Sequence, residues 1–263
     1  MFRLIDQTGR HINIPETSAR IVSLVPSQTE LLCDLGLETQ LVGVTKFCVH
    51  PSSIKDKKQI VGGTKNIKLD VIRSLQPDIV LCNKEENTKE IVQSLEQFTT
   101  VHVSDIFTFE DALSLINQYG VLFKVEDKAS VLIRDLEEKK ADFELFIQNK
   151  PLRNVAYFIW KKPWMVAGGN TFINHLLKLN NFKNVFAAYA RYPEIELAQL
   201  KSKGTAYILL SSEPYPFKEK HMAEIQKQIP KGKVILVDGE YFSWYGSRLQ
   251  KAFSYFKELH EKL

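Results

Sequence analysis

A chain of 263 residues, 44% hydrophobic and 25% charged, has the composition of a globular protein, long enough for one large domain or two ordinary ones. Its formal charge of +4 comes from interspersed acidic and basic residues rather than a basic block, which argues against nucleic acid as a partner. Three scattered cysteines, Cys33, Cys48 and Cys82, with no C-x-x-C pair, exclude a disulfide framework and argue against structural zinc, and no apolar run reaches the length of a membrane span.

Residues 2–14 alternate apolar and polar positions around Thr8-Gly9, the pattern of a β-hairpin. No apolar signal region and no lipoprotein cysteine comes before it, so the chain as it stands reads as cytoplasmic unless an export signal has been removed. The run 21–24 is apolar except for Ser23, as in a strand buried on both faces. Pro26-Ser27 is expected to break it, and a helix over 29–35 follows. Further strands are predicted at 41–44, 79–82 and 100–103, and helices at 69–75, 88–98 and 109–123. Such alternation implies a parallel sheet covered by helices. Residues 125–148 lack Pro and Gly and repeat apolar side chains at Val125, Ala129, Leu132, Leu136, Phe143 and Ile147. One helix of about 25 residues, roughly 37 Å long, fits this stretch. It would be a stiff spine between two lobes or, alternatively, a helix packed on one lobe only. The plan then repeats, with strands at 155–159, 206–210 and 234–237 and helices at 172–179, 220–228 and 249–263. The expected fold class is α/β: an amino-terminal lobe (1–124), a bridging helix (125–150) and a carboxyl-terminal lobe (151–263), each lobe with a mainly parallel sheet.

In open α/β sheets ligands bind beyond the carboxyl ends of the strands, and that is where the distinctive residues fall. Pro26 and Ser27 follow the first central strand. Phe47, Cys48 and His50 follow the next; Cys48 and His50 could point the same way as metal ligands do, but no third ligand accompanies them, so His50 reads as a rim residue and Phe47 as an aromatic wall. Asn83, Glu85 and Glu86 follow the strand at 79–82, either at a site or as an acidic helix start. Gly62-Gly63-Thr64 and Gly168-Gly169-Asn170-Thr171 each look like a tight turn into a capped helix, and two such starts facing one another would offer N–H donors to a polar ligand. Trp160, Trp164 and Trp244 all fall in expected loops after strands, which suits a planar ligand. Glu213, Tyr215, Phe217 and Lys218 sit in a loop stiffened by Pro214 and Pro216. Trp244, Tyr245 and Arg248 sit in the turn before the last helix, where Arg248 could hold an anionic ligand group or pair with Asp238 or Glu240. The chain has no G-x-S-x-G, no G-x-x-x-x-G-K-[ST] and no G-x-G-x-x-G, so enzyme signatures are absent.

Several stretches taken in order resemble the helical-backbone metal receptors. These are the periplasmic substrate-binding proteins of ABC importers, and the vitamin B12-binding type is the most similar. The stretches are Arg20-Ile-Val-Ser-Leu-Val-Pro-Ser-Gln-Thr-Glu-Leu, Val42-Gly-Val-Thr45, Leu75-Gln-Pro-Asp-Ile-Val-Leu81, the long central helix and Tyr192-Pro-Glu-Ile. The resemblance covers nearly the whole chain. It implies two α/β lobes joined by a rigid helix, with a corrinoid, haem or ferric siderophore held between them as cargo rather than as an intrinsic cofactor, and with no protein ligand to the metal. It implies that Phe47 and Tyr192 are aromatic walls, while Thr64 and Asn83 stand where tryptophans are expected. One acidic residue per lobe would meet an ABC permease: Asp70 matches the first, and Glu196, two residues before the aligned Ala198, would replace the second. The resemblance further implies a monomer in the periplasm or cell envelope. The other readings are a cytoplasmic small-ligand binder or sensor of the same fold without a permease, and an enzyme acting on a bound cofactor through residues such as Glu213 or His221.

Overall fold

The computed structural model describes residues 2–14 and 20–263, so Met1 and residues 15–19 of the expected first lobe lie outside it. The chain forms two compact units. One comprises Met1–Ile106, Glu110–Leu136 and Tyr245–Arg248; the other comprises Phe107–Phe109, Glu137–Trp244 and Leu249–Leu263.

In the first unit, β1 (Phe2–Ile5) and β2 (His11–Ile14) form the antiparallel hairpin. Asp6 closes its turn by accepting the N–H groups of Thr8 and Arg10 and the Arg10 guanidinium. The strands β3 (Ile21–Ser23), β4 (Leu41–Val44), β5 (Gln59–Ile60), β6 (Ile79–Asn83) and β7 (Thr100–Ser104) build a sheet in the order β5-β4-β3-β6-β7, parallel throughout. Every residue of β3 and β6 is buried, as the near-continuous apolar sequence of a strand covered on both faces requires. Val22, Leu24, Ile72, Val80, Cys82 and Leu95 are among the side chains of one core beside this sheet.

Helices alternate with the strands: α1 (Pro26–Asp34), α2 (Ile54–Lys57), α3 (Leu69–Ser74), α4 (Lys89–Leu95) and α5 (Phe109–Phe123). Two local expectations need correction. The helix after β3 starts at Pro26, not Thr29, because Pro fits the first helical position, where its missing N–H would have no partner anyway. Gly62-Gly63-Thr64 does not open a helix. It lies in a small loop closed by an antiparallel bridge between Gly62 and Ile67, and α3 begins only after Lys68.

The stretch without Pro or Gly is one helix, α6 (Glu126–Ile147), whose residues up to Leu136 belong to the first unit and from Glu137 to the second. The predicted apolar stripe is its buried face: Ala129, Leu132, Leu136, Phe143 and Ile147 are all buried.

The second unit contains β8 (Arg153–Trp160), β9 (Met165–Val166), β10 (Phe182–Asn184), β11 (Tyr207–Ser211) and β12 (Lys233–Val237). Its sheet runs β10-β8-β11-β12 in parallel, with the short β9 antiparallel to β8. The helices are α7 (Phe172–Leu179), α8 (Ala198–Ser202), α9 (Glu219–Gln228), α10 (Glu240–Ser243) and α11 (Leu249–Glu261). Here the glycine pair does precede a helix. Thr171 caps α7, its hydroxyl accepting the Asn174 N–H.

Candidate functional site

The carboxyl edge of the first sheet gathers Pro26 and Ser27 after β3, Phe47 and His50 after β4, Thr64 after β5 and Asn83 at the end of β6. Their surroundings differ sharply. Phe47 leaves 50% of its surface exposed, with the Lys46 ammonium 5.0 Å from its ring centroid. Pro26, His50 and Thr64 are half-buried. Cys48, by contrast, is buried against the hydroxyls of Thr29 and Thr45, with its thiol pushed up in pKa by burial, so it turns away from His50 chemistry. Among the described residues no group of three His, Cys, Asp or Glu side chains could hold a metal ion.

Ser27, Asn83 and Tyr245 meet in a buried polar network. The Asn83 amide donates to the Ser104 hydroxyl at 3.0 Å, Gln28 donates to Ser104 at 2.6 Å and to the Tyr245 hydroxyl at 3.2 Å, and the Tyr119 hydroxyl donates to Gln28 at 2.7 Å. Ser27 and Ser104 also bond to Tyr245. Burial raises the Tyr245 phenol above its ordinary pKa, so it stays protonated and can serve as a donor. At the same edge Glu86 is half-buried; burial first, and then the Glu85 charge, raise its carboxyl pKa, while Lys65 and a hydrogen bond to Thr64 oppose the rise. Arg248, for which Asp238 or Glu240 is the expected protein partner, pairs with Glu30 of α1. Its guanidinium makes a buried two-point contact there, at 2.7 and 2.6 Å.

The carboxyl edge of the second sheet is aromatic. Trp160 is the last residue of β8 rather than a loop residue, and it is 40% exposed. Its ring meets the edge of Tyr215 at 5.6 Å. Trp164 stacks on Phe217, nearly coplanar at 6.2 Å, and both join the hydrophobic core of this unit. Phe217 itself is buried, whereas Lys218 is exposed as the N-cap of α9. Trp244 lies in the expected loop, just past the end of α10, but it is 7% exposed rather than open to a ligand and donates its indole N–H to Glu213 at 3.0 Å. Tyr192 is half-buried in a segment laid against the glycine pair, where Gly168 N–H donates to the Arg191 carbonyl and Arg191 N–H to the Gly169 carbonyl. The two acidic residues expected to meet a permease, Asp70 in the first turn of α3 and Glu196 just before α8, are both exposed.

Sequence reasoning missed Gln28, Ser104 and Tyr119, which knit the network, and Glu30 as the partner of Arg248. Gln28 and Glu30 sit beside Leu31 and Leu32 on a mostly buried helix, and polar side chains in such a place are the signal that would have exposed them.

Residues 21–232 match the model of a family described as periplasmic binding protein. An uncharacterized ABC transporter substrate-binding lipoprotein of Bacillus subtilis is 27% identical over 191 residues, covering 69% of this chain and 60% of that protein. A vitamin B12-binding protein of Vibrio campbellii is 28% identical over 186 residues, covering 69% of this chain and 66% of that protein. The chain thus matches about two thirds or less of the length of these relatives. A periplasmic heme-binding protein from Pseudomonas aeruginosa has the same fold, with a TM-score of 0.79 at 21% identity over 92% of this chain and 93% of that one.

Proposed function

Because the chain belongs to the periplasmic binding protein family, whose members bind and deliver substrates rather than transform them, we propose that it holds a metal chelate, a corrinoid, haem or ferric siderophore, for an ABC importer of the cell envelope. The chelate is cargo. The observation that carries this reading is the exposed aromatic surface at the strand ends: Phe47 in the first unit and, in the second, Trp160 set against the half-buried Tyr215. A planar macrocycle needs flat apolar faces, and each ring contributes about 1 kcal/mol beyond its area burial. Pro26, His50, Thr64, Trp164, Tyr192 and Glu213 are the further contact candidates. Ser27, Asn83, Tyr245 and Arg248 act from the buried layer beneath, where they fix the edge that the ligand meets. Names carried by relatives support both a corrinoid and a haem.

Fluorescence titration with cobalamin, haemin and a panel of ferric siderophores tests the reading. Saturable quenching with a dissociation constant in the micromolar range or tighter is expected for one class, weakened about tenfold, or ~1.4 kcal/mol, by Phe47→Ala or Trp160→Ala. Absence of saturable quenching by every member of the panel rejects it. Asp70 and Glu196 are proposed to dock the permease by charge. Asp70→Lys with Glu196→Lys should abolish stimulation of transporter ATPase activity while leaving chelate affinity unchanged.

A further inference from the structure

On the second unit, Lys161, Lys162, Tyr215, Lys220, His221 and Glu224 line a cavity of about 380 Å³. Its charges do not balance. Lys161 pairs with Glu224, which leaves Lys162 and Lys220 facing the cavity with no carboxylate partner on its walls. Elsewhere in the molecule lysines do find acids, as in Lys57–Glu38, Lys84–Asp105, Lys140–Glu144 and Lys257–Asp142. Two like charges converging on one concave surface raise the potential there and favour an anion.

Neutral donors are set in the same wall. The His221 Nδ1 accepts the Lys218 N–H at 2.9 Å, which places the ring proton on Nε2. That Nε2 stands 3.4 Å from the Tyr215 hydroxyl. The hydroxyl oxygen therefore accepts, and its own proton is free to point into the cavity. His221 is buried, its ring edge-on to both Tyr215 and Phe217, so the donor is held in place. Burial, and then the charges of Lys161 and Lys220, lower its pKa, so it keeps a single ring proton at neutral pH and this donor direction persists. Lys162 adopts a left-handed backbone conformation with φ of +66°, uncommon for a side chain of its size.

We propose that this cavity binds an anionic oxygen group, a carboxylate or a phosphate, with Lys162 and Lys220 supplying the charge and the Tyr215 hydroxyl a directed hydrogen bond. The proposal shares Tyr215 with the chelate reading, but it needs only the second unit's own residues and its test uses no chelate.

Isothermal titration of the full chain with citrate and with inorganic phosphate, at low salt and neutral pH, tests it. Saturable heat is expected with at least one of the two anions, falling as salt is raised. The double variant Lys162→Gln/Lys220→Gln should weaken binding tenfold or more, and Tyr215→Phe should weaken it severalfold with the fold intact by circular dichroism. Binding of citrate alone assigns a carboxylate ligand, and binding of phosphate alone a phosphate. The control Lys183→Gln/Lys231→Gln removes the same charge from elsewhere on this unit and should leave the affinity unchanged. No saturable heat with either anion, or an equal loss in that control, overturns the site.

Discussion

Arg248 shows what a single residue can hide. Its sequence neighbours Asp238 and Glu240 are acidic, yet it reaches Glu30, 218 residues away in the chain. Both side chains are nearly buried, so each charge depends on the other for what it has lost in solvation. Removing one partner with Arg248→Ala or Glu30→Ala should cost about 3–5 kcal/mol in a denaturant titration. The double change Glu30→Gln/Arg248→Met should recover much of that loss, since no unpaired charge stays buried. If the double variant is no more stable than either alanine variant, the pair is not the cause. Trp244 carries a similar lesson. An indole after a strand reads equally well as a ligand wall or as a hydrogen-bonded anchor, and only its bond to Glu213 and its burial separate the two. Trp244→Phe keeps an aromatic ring, though a smaller one, and leaves Glu213 with one donor fewer; it should destabilise by at least about 1.5–3 kcal/mol, the range for hydrogen bonds to charged groups.

At the scale of elements, helices with a long apolar period were legible almost to the residue. The α5 span of Phe109–Phe123 and the α7 span of Phe172–Leu179 coincide with expectation, and α6 falls within its predicted range. What escaped were β5, β9, β10, α2, α8 and α10, all five residues or fewer. Segments that short leave little period to read; β1 to β4, no longer than these, were legible through the hairpin alternation and their apolar runs, which these segments lack. The two glycine pairs mark the same limit. Their sequences look alike and both allow close backbone approach, a Cβ on Gly62 (φ +111°) lying 2.5 Å from the Asn66 carbonyl oxygen, but only the second pair leads directly into a helix. A Cβ on Gly168 would lie 2.3 Å from the Tyr189 carbonyl oxygen, and one on Gly169 would lie 2.3 Å from that of Ala187. Backbone cannot yield as a flexible side chain can. Gly169→Ala should therefore displace the 187–191 segment and lower stability by about 1–3 kcal/mol, whereas Gly9→Ala, in open space at a positive φ, carries only its conformational cost. Equal losses at the two positions would contradict the packing argument.

For the molecule as a whole, pH reports which unit yields first. His102 in the first unit and His221 and His260 in the second all have pKa values lowered by burial, His260 to about 4 with further depression from the Arg153 and Lys150 charges. The unfolded chain takes up these protons near pH 6.5, before the folded one does. Their contribution to stability is thus whole above pH 6.5 and is lost as pH falls from 6.5 towards 4. Asp6 behaves oppositely in window and alike in outcome. Burial pushes its carboxyl up, but the hydrogen bonds from Thr8 and Arg10 and the Arg10 charge outweigh it and hold the pKa below the usual range, so its contribution is lost only below about pH 4. With two depressed histidines against one, the second unit should lose stability earlier on acidification. Urea midpoints followed by tryptophan fluorescence report that unit alone, because Trp160, Trp164 and Trp244 all belong to it. That midpoint should fall measurably between pH 6.5 and 4, and His260→Phe should flatten the fall by removing the most depressed group. A midpoint independent of pH across that window, or a fall unchanged in His260→Phe, would show that these buried rings do not govern the acid response.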